Sequence, residues 1–139
     1  MLSNSTIQSA WVATLKANVN ITALVPAVEI REDSYKGTQF TYPNIRVKLG
    51  KLVPQNQSNN CQIFRSEVSI LVFTEQKSSK QADDIAGVIA SEYWGKAFSK
   101  SGVRFSGITL DALMPAMVPD FDPNSWLASV EFTAGVGNG

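Results

Sequence analysis

The sequence predicts an α+β fold, a mainly antiparallel β-sheet of four to five strands with two helices packed on one face. Three observations support this class. Two segments carry apolar residues at helical spacing, several shorter segments alternate apolar with polar residues, and the order along the chain is helix, strands, helix, strands. The length of 139 residues matches a single domain, which is predicted over residues 1–139.

The first helix is predicted near the start of the chain. Ser5 and Gln8 have the spacing of a capping box, in which the two side chains satisfy free backbone N–H groups. Apolar residues, Trp11 among them, then recur at helical intervals as far as residue 18. A short helical turn is expected at residues 21–25, where a proline follows.

The second helix is predicted from a similar start signal. Ser78 and Gln81 repeat the capping-box spacing, and Asp83 and Asp84 fall in the first turn, where a carboxylate suits the helix dipole. The residues that follow form an apolar stripe, so this helix is predicted to run to about Phe98.

Alternation of apolar and polar residues marks the strands. The clearest strand follows Asn44, where apolar residues alternate with Arg46 and Lys48, and this pattern predicts a half-buried strand with a basic outer face. Four further segments are predicted as strands: residues 28–31, 61–73, 103–110 and 125–136.

Three segments are predicted to be irregular. Residues 54–60 contain no apolar residue after the proline and are expected to form a protruding hairpin loop. Residues 114–122 contain two prolines and are expected to cross between strands without regular structure. The glycine-rich end, from about residue 135, is expected to be a loose tail.

The composition excludes several classes of function. The chain has no His, which removes Ser-His-Asp and Cys-His catalysis, and its single Cys can form neither an internal disulfide nor a structural zinc site. Twelve basic residues balance twelve acidic ones, which is not the surplus typical of a nucleic-acid binder. No signal peptide or membrane span is predicted, so synthesis in the cytoplasm is expected.

Candidate chemical groups have simpler structural interpretations. Asp120 and Asp122 are spaced like an acid/base pair or a weak cation site, but they lie among prolines, where Asp commonly begins turns. Cys61 has no His to activate it and is interpreted as a structural thiol. We therefore expect no enzymatic activity, metal or cofactor, with a small hydrolase or ligand-binding domain that uses the two Asp residues as an alternative.

The basic strip formed by Arg46, Lys48 and Lys51 has two interpretations. It has the charge needed to follow a phosphate backbone, but no aromatic residues interleave with it, and a solvated face or a face between subunits is the preferred interpretation. Charged residues make up only 17% of the chain, and depletion of charge is typical of surfaces that become buried in interfaces.

Several phrases of the sequence resemble the tail terminator, or tail completion, proteins of tailed bacteriophages. The resemblance covers most of the chain, as a pattern of elements and short phrases without a catalytic signature. It includes the opening helix and the helix beginning around Ala82. The phrases that carry it are residues 19–26 (VNITALVP), 42–47 (YPNIRV), 72–75 (VFTE) and 126–132 (WLASVEF).

The resemblance implies a homohexameric ring in the neck of a virion. Such a ring caps the tail tube, ends tube polymerisation and joins the tail to the head-side connector, with DNA passing through its channel. The implied partners are further copies of the chain, the tail tube protein and the connector, with no membrane involved. Another head-tail neck adaptor or head-completion protein is the alternative in the same virion.

Two sets of contact residues are expected if the resemblance holds. The first is the polar segments beside the best-defined strand, proposed to contact the tube or connector: Pro54, Gln55, Asn56, Gln57, Ser58, Asn59, Asn60, Glu75, Lys77 and Lys80. The second is a set of charged inter-subunit candidates: Arg46, Lys48, Lys51, Asp120, Asp122 and Glu131. After residue 100 one arginine stands against four carboxylates, a net charge of −3, which leaves +3 for the rest and favours complementary faces.

Overall fold

The computed structural model describes residues 2–33, 41–55, 63–75, 79–120 and 123–138. Helix α1 spans Asn4–Ala17, and its N-cap is Ser3, whose Oγ accepts a hydrogen bond from the Thr6 backbone N–H at 3.2 Å. The capping box predicted at Ser5 is therefore wrong, because Ser3 is the residue with the extended backbone that a cap requires. A short helix α2 follows at Val19–Thr22.

Helix α3 spans Ser79–Tyr93, so it ends five residues before the predicted boundary. Gly95 has a φ of 77°, the left-handed conformation that commonly ends a helix, and its N–H donates to the carbonyl of Ile108 at 2.8 Å. Phe98, predicted in the helix, instead begins a strand. Ser78, the predicted cap of this helix, lies outside the described residues.

Six strands form one sheet in the described part of the chain. They are β1 Ile30–Glu32, β2 Asn44–Pro54, β3 Phe64–Glu75, β4 Phe98–Lys100, β5 Val103–Met117 and β6 Ser125–Asn138. Their spatial order is β1-β2-β3-β6-β5-β4, with β1 parallel to β2 and every other pair antiparallel. The α+β class and the mainly antiparallel sheet are confirmed. The sheet exceeds the predicted four to five strands because β4 lies where helix was predicted.

Two of the expected irregular segments belong to strands. β5 continues to Met117 across Pro115, which lies where the register with β6 shifts and a ladder N–H is not required. The expected loose tail is the end of β6, where Gly135 pairs with both Arg65 and Ser106 and Val136 is buried. Pairing on both sides orders these residues despite their glycine content.

An aromatic cluster joins both long helices to the same face of the sheet. The Trp11 ring of α1 stacks on Phe132 of β6 with centroids 5.9 Å apart, and it meets Tyr93 of α3 edge-on at 5.4 Å. Tyr93 also lies 6.4 Å from Phe132. Both helices therefore cover one face of the sheet, as predicted, and the other face carries no helix from the described part of the chain.

The helix-free face is organised in rows across the sheet. One row crosses four strands through Lys48, Ser69, Glu131 and Ala112. On β3 the residues of this face are exposed or half-buried, whereas Val68, Ile70 and Val72 between them are buried beneath the helices. Within the described ranges, no helix combines the length and apolar character needed to cross a membrane.

Candidate assembly surfaces

Within the described ranges, no cluster of three or more His, Cys, Asp or Glu residues has the spacing of a metal site. Asp120 is exposed in the turn after β5, and Asp122 lies outside the described residues. The other candidate contact residues and the exposed apolar residues are described next by their position on the sheet.

The candidate tube and connector contacts lie at opposite ends of the sheet. Pro54 pairs with Phe64 at one end, and the Gln55 N–H donates to the Ile63 carbonyl at 2.9 Å. Glu75 pairs with Ser125 at the other end. Twelve residues of β3 separate the two ends, a distance of about 36 Å for an extended strand. The two groups therefore form separate surfaces rather than one.

The rest of this first set divides between described and undescribed residues. Asn56, Gln57, Ser58, Asn59, Asn60 and Lys77 lie outside the described residues. Lys80 is exposed in the first turn of α3, where its Nζ lies 2.6 Å from Asp84 Oδ2. The hydrogen bond and charge of that carboxylate raise the pKa of Lys80, and an exposed pair of this kind contributes little to stability.

Arg46 does not lie on an exposed basic face. Its side chain is only 6% exposed, and Nη1 donates to the carbonyls of Glu29 and Ile45, both at 3.0 Å. The basic outer face predicted here is therefore wrong at Arg46, because the segment leading into β1 runs beside β2 at this height. Lys48 and Lys51 lie beyond the end of β1 and are exposed.

The structure does not bring the acidic candidates together with the basic ones at a single edge. Glu131 is half-buried in the middle of the helix-free face, two strands away from Lys48 in the same row. Two strand spacings correspond to about 10 Å. Asp120 lies at the end of β5, on the far side of the sheet from β2.

Two acidic residues, Asp111 and Asp83, form hydrogen bonds at the β5 edge that were not predicted; Asp83 was expected in the first turn of α3, which contains no acidic residue. The Asp111 carboxylate is exposed and accepts a hydrogen bond from Thr133 Oγ1, and Asp83 Oδ1 accepts one from the Ala116 N–H at 2.8 Å. The sequence did offer one indication that Asp111 has a role, because it is an acidic residue inside the largely apolar segment 108–114. No sequence pattern indicates that Asp83 lies beside Ala116, since 33 residues separate them.

The second half of β5 presents apolar side chains to solvent. Leu113 is 47% exposed and Met117 56%, and Met114 and Val118 are also exposed. Exposed apolar residues that occur singly need no explanation, but adjacent ones are typical of interaction surfaces.

Two segments on opposite sides of the sheet carry opposite charge. On the β2 side, every charged residue from Thr41 to Ser66 is basic: Arg46, Lys48, Lys51 and Arg65. On the β5 side, every charged residue from Phe105 to Asp120 is acidic, namely Asp111 and Asp120. These segments lie on opposite sides of the strand order, whereas the flanking strands carry both signs, with Arg31 beside Glu32 in β1 and with Lys100 and Arg104 in β4 and β5.

Comparison with known proteins identifies the fold. No family model matches the chain, and no curated protein matches it. A chain from the structure "Virion of native gene transfer agent (GTA) particle" matches with a TM-score of 0.71 and 18% sequence identity, over 96% of this chain and 96% of that one. A second solved structure matches with a TM-score of 0.66 and 12% identity, over 98% and 96% of the two chains. At these identities the likeness shows that the fold is shared.

Proposed function

We propose that this chain is a structural protein of a phage-like virion, and specifically a tail terminator. In this role copies of the chain form a ring, a hexamer by the family resemblance, that caps the tail tube, ends its polymerisation and joins the tail to the head connector. The observation that carries the proposal is the match to a chain of a gene transfer agent virion over 96% of both chains. The protein is assembled into the virion neck after synthesis in the host cytoplasm, and it acts without catalysis.

The geometry of the sheet supports a ring subunit that lies between two axial partners. Gln55 lies at one end of the strands, beside the exposed apolar Val53 and Ile63, and the exposed Glu75 lies at the other end. If the strands run along the ring axis, one end faces the tube protein and the other faces the connector, while DNA passes through the channel. The sides of the sheet then face neighbouring subunits, and the opposite charges of the segments around β2 and β5 suit a heterologous contact that closes on itself.

Tube length tests this function directly. Purified tail tube protein is polymerised with increasing amounts of the full chain, and tube lengths are measured by negative-stain electron microscopy. We expect tubes to become shorter as the ratio of chain to tube protein rises, with a ring visible at one end. Unchanged lengths and bare ends at a molar excess would contradict the terminator function.

A head-tail neck adaptor is the second candidate. It is favoured by the same match, because the matched structure is a whole virion particle. An adaptor binds the connector and leaves tube length unchanged, so pull-down on purified connector rings, run beside the tube assay, separates the two functions.

A further inference from the structure

The two outer edges of the sheet are stepped in opposite senses. On one side, β1 covers only Ile45 to Val47 of β2, and no strand of the described chain pairs with the outer edge of residues 48–54. On the other side, β4 covers only Val103 to Phe105 of β5, and residues 106–117 have no strand on their outer edge in the described part of the chain. Each edge therefore combines a covered stretch with an open one.

The covered stretches of the two edges lie at different heights. Through the register of the sheet, Val47 is level with Ile70, Val130 and Leu113, so β1 lies at the height where β5 is open. Pro54 is level with Phe64, Val136 and Phe105, so β4 begins at the height where the open stretch of β2 ends. When the two edges of neighbouring copies face each other, β1 of one copy therefore projects at the height of Val47, and β4 of the other copy projects at the height of Pro54.

Opposite charges fall at the same height on the two edges. Lys48 shares its row with Ala112, the residue next to Asp111. Lys48 and Asp111 are both exposed, and both belong to the helix-free face, since Lys48 pairs with Ser69 and Asp111 accepts from Thr133. A rotation about an axis along the strands therefore brings Lys48 of one copy beside Asp111 of the next.

Strand direction is consistent with this contact. β2 and β6 run one way and β3 and β5 the other, so β5 of one copy lies antiparallel to β2 of its neighbour. A continuous backbone ladder across the contact is disfavoured, because the register of β5 shifts at three places: at Gly107, whose φ is 58°, at Asp111 and around Pro115. The Ala116 N–H is already bonded to Asp83. The contact is therefore made by side chains.

We propose that copies of this chain join side by side through these two edges, with Lys48 and Lys51 of one copy facing Asp111 of the next. The exposed Met114 and Met117, which pair with Ser129 and Leu127 on the helix-free face, pack between them. The occupant of each edge is a second copy of the same chain, chosen by charge complementarity and because β1 and β4 project at different heights and do not overlap. This inference rests on the proposed ring, for which it names the subunit contact.

Charge reversal tests the contact. Lys48→Glu with Lys51→Glu, and separately Asp111→Lys, place like charges across the edges, and we expect each to raise the concentration at half-assembly by at least about tenfold. A chain carrying all three changes restores opposite charges and is expected to assemble within a few-fold of the unmodified chain. Assembly is measured by native mass spectrometry and sedimentation velocity at low salt.

The controls separate a lost contact from a lost fold. Lys16→Glu reverses an exposed charge on α1, beneath the sheet, and is expected to leave assembly unchanged. Asp111→Asn keeps an acceptor for Thr133 Oγ1 and removes only the charge, so it is expected to weaken assembly less than Asp111→Lys. Assembly of both reversal variants at the unmodified concentration, or no recovery in the triple variant, would overturn the contact.

Cross-linking gives a second readout that leaves Asp111 intact. In a Cys61→Ser background, Lys48→Cys with Ala112→Cys places one thiol on each edge at the same height. A short bismaleimide is expected to produce a ladder of covalent oligomers that ends at the ring, whereas Lys16→Cys with Ala112→Cys produces none. A ring without a ladder overturns this contact and leaves the terminator function standing, while a chain that forms no ring alone or on tube ends overturns both.

Discussion

At the scale of individual residues, the aromatic cluster around Trp11 stabilises the packing of both long helices on the sheet. Its indole is fully buried and contacts Tyr93, Phe98, Phe105 and Phe132 at centroid distances between 5.1 and 5.9 Å. These partners come from α3 and from three strands, so one side chain links elements that are far apart in sequence. Trp94, one position after α3, is 59% exposed.

The two tryptophans provide a matched pair of variants. Trp11→Ala leaves a large cavity and is expected to lower the free energy of unfolding by about 3–5 kcal/mol. Trp94→Ala removes an exposed side chain and is expected to change the free energy of unfolding by no more than about 0.5 kcal/mol. Urea denaturation followed by circular dichroism measures both values, and equal losses in the two variants would contradict the assigned burial.

At the scale of elements, strong periodicity located α1, α3 and the long strands, while their boundaries depended on local contacts. Ser5 with Gln8 matches a capping box in sequence, yet Ser3 is the residue that caps α1. Gln8 instead donates from Nε2 to the Val47 carbonyl at 2.8 Å, a contact with a strand 39 residues away. A capping-box motif spans only four residues, so it cannot show that Gln8 binds the distant Val47 carbonyl instead.

Alanine substitution at the two serines distinguishes the caps. Ser3→Ala removes the acceptor for the Thr6 N–H and is expected to cost about 1 kcal/mol of stability. Ser5→Ala falls within the first turn and is expected to be neutral or slightly stabilising, since Ala has the higher helix propensity. Thermal unfolding of the two variants measures the difference, and a greater loss for Ser5→Ala would restore the original cap assignment.

At the scale of the whole molecule, charge is distributed by sheet position. The basic segment around β2 and the acidic segment around β5 lie at opposite sides of one sheet. A subunit with two unlike, complementary sides closes into a ring without requiring a second kind of chain. The balanced total of twelve basic and twelve acidic residues conceals this separation.

Salt dependence follows from this separation of charge. Because exposed charges are screened as ionic strength rises, the concentration at half-assembly is expected to increase between 0.05 and 0.5 M NaCl, about a threefold fall in screening length. A chain with Lys48→Gln, Lys51→Gln and Asp111→Asn is expected to show a flatter response. Sedimentation velocity across the salt series measures both slopes, and equal slopes would contradict a role for these charges.

The sequence by itself determined the α+β class, the two long helices and the mainly antiparallel sheet, because apolar periodicity follows directly from helix and strand geometry. It also identified Lys48 and Lys51 as exposed basic residues. The tertiary structure alone decided that Arg46 is buried, that the glycine-rich end belongs to β6 and that Ala112, the neighbour of Asp111, lies level with Lys48 across the sheet. Strand order and register decide these features, since they bring together residues that have no local relation in the chain.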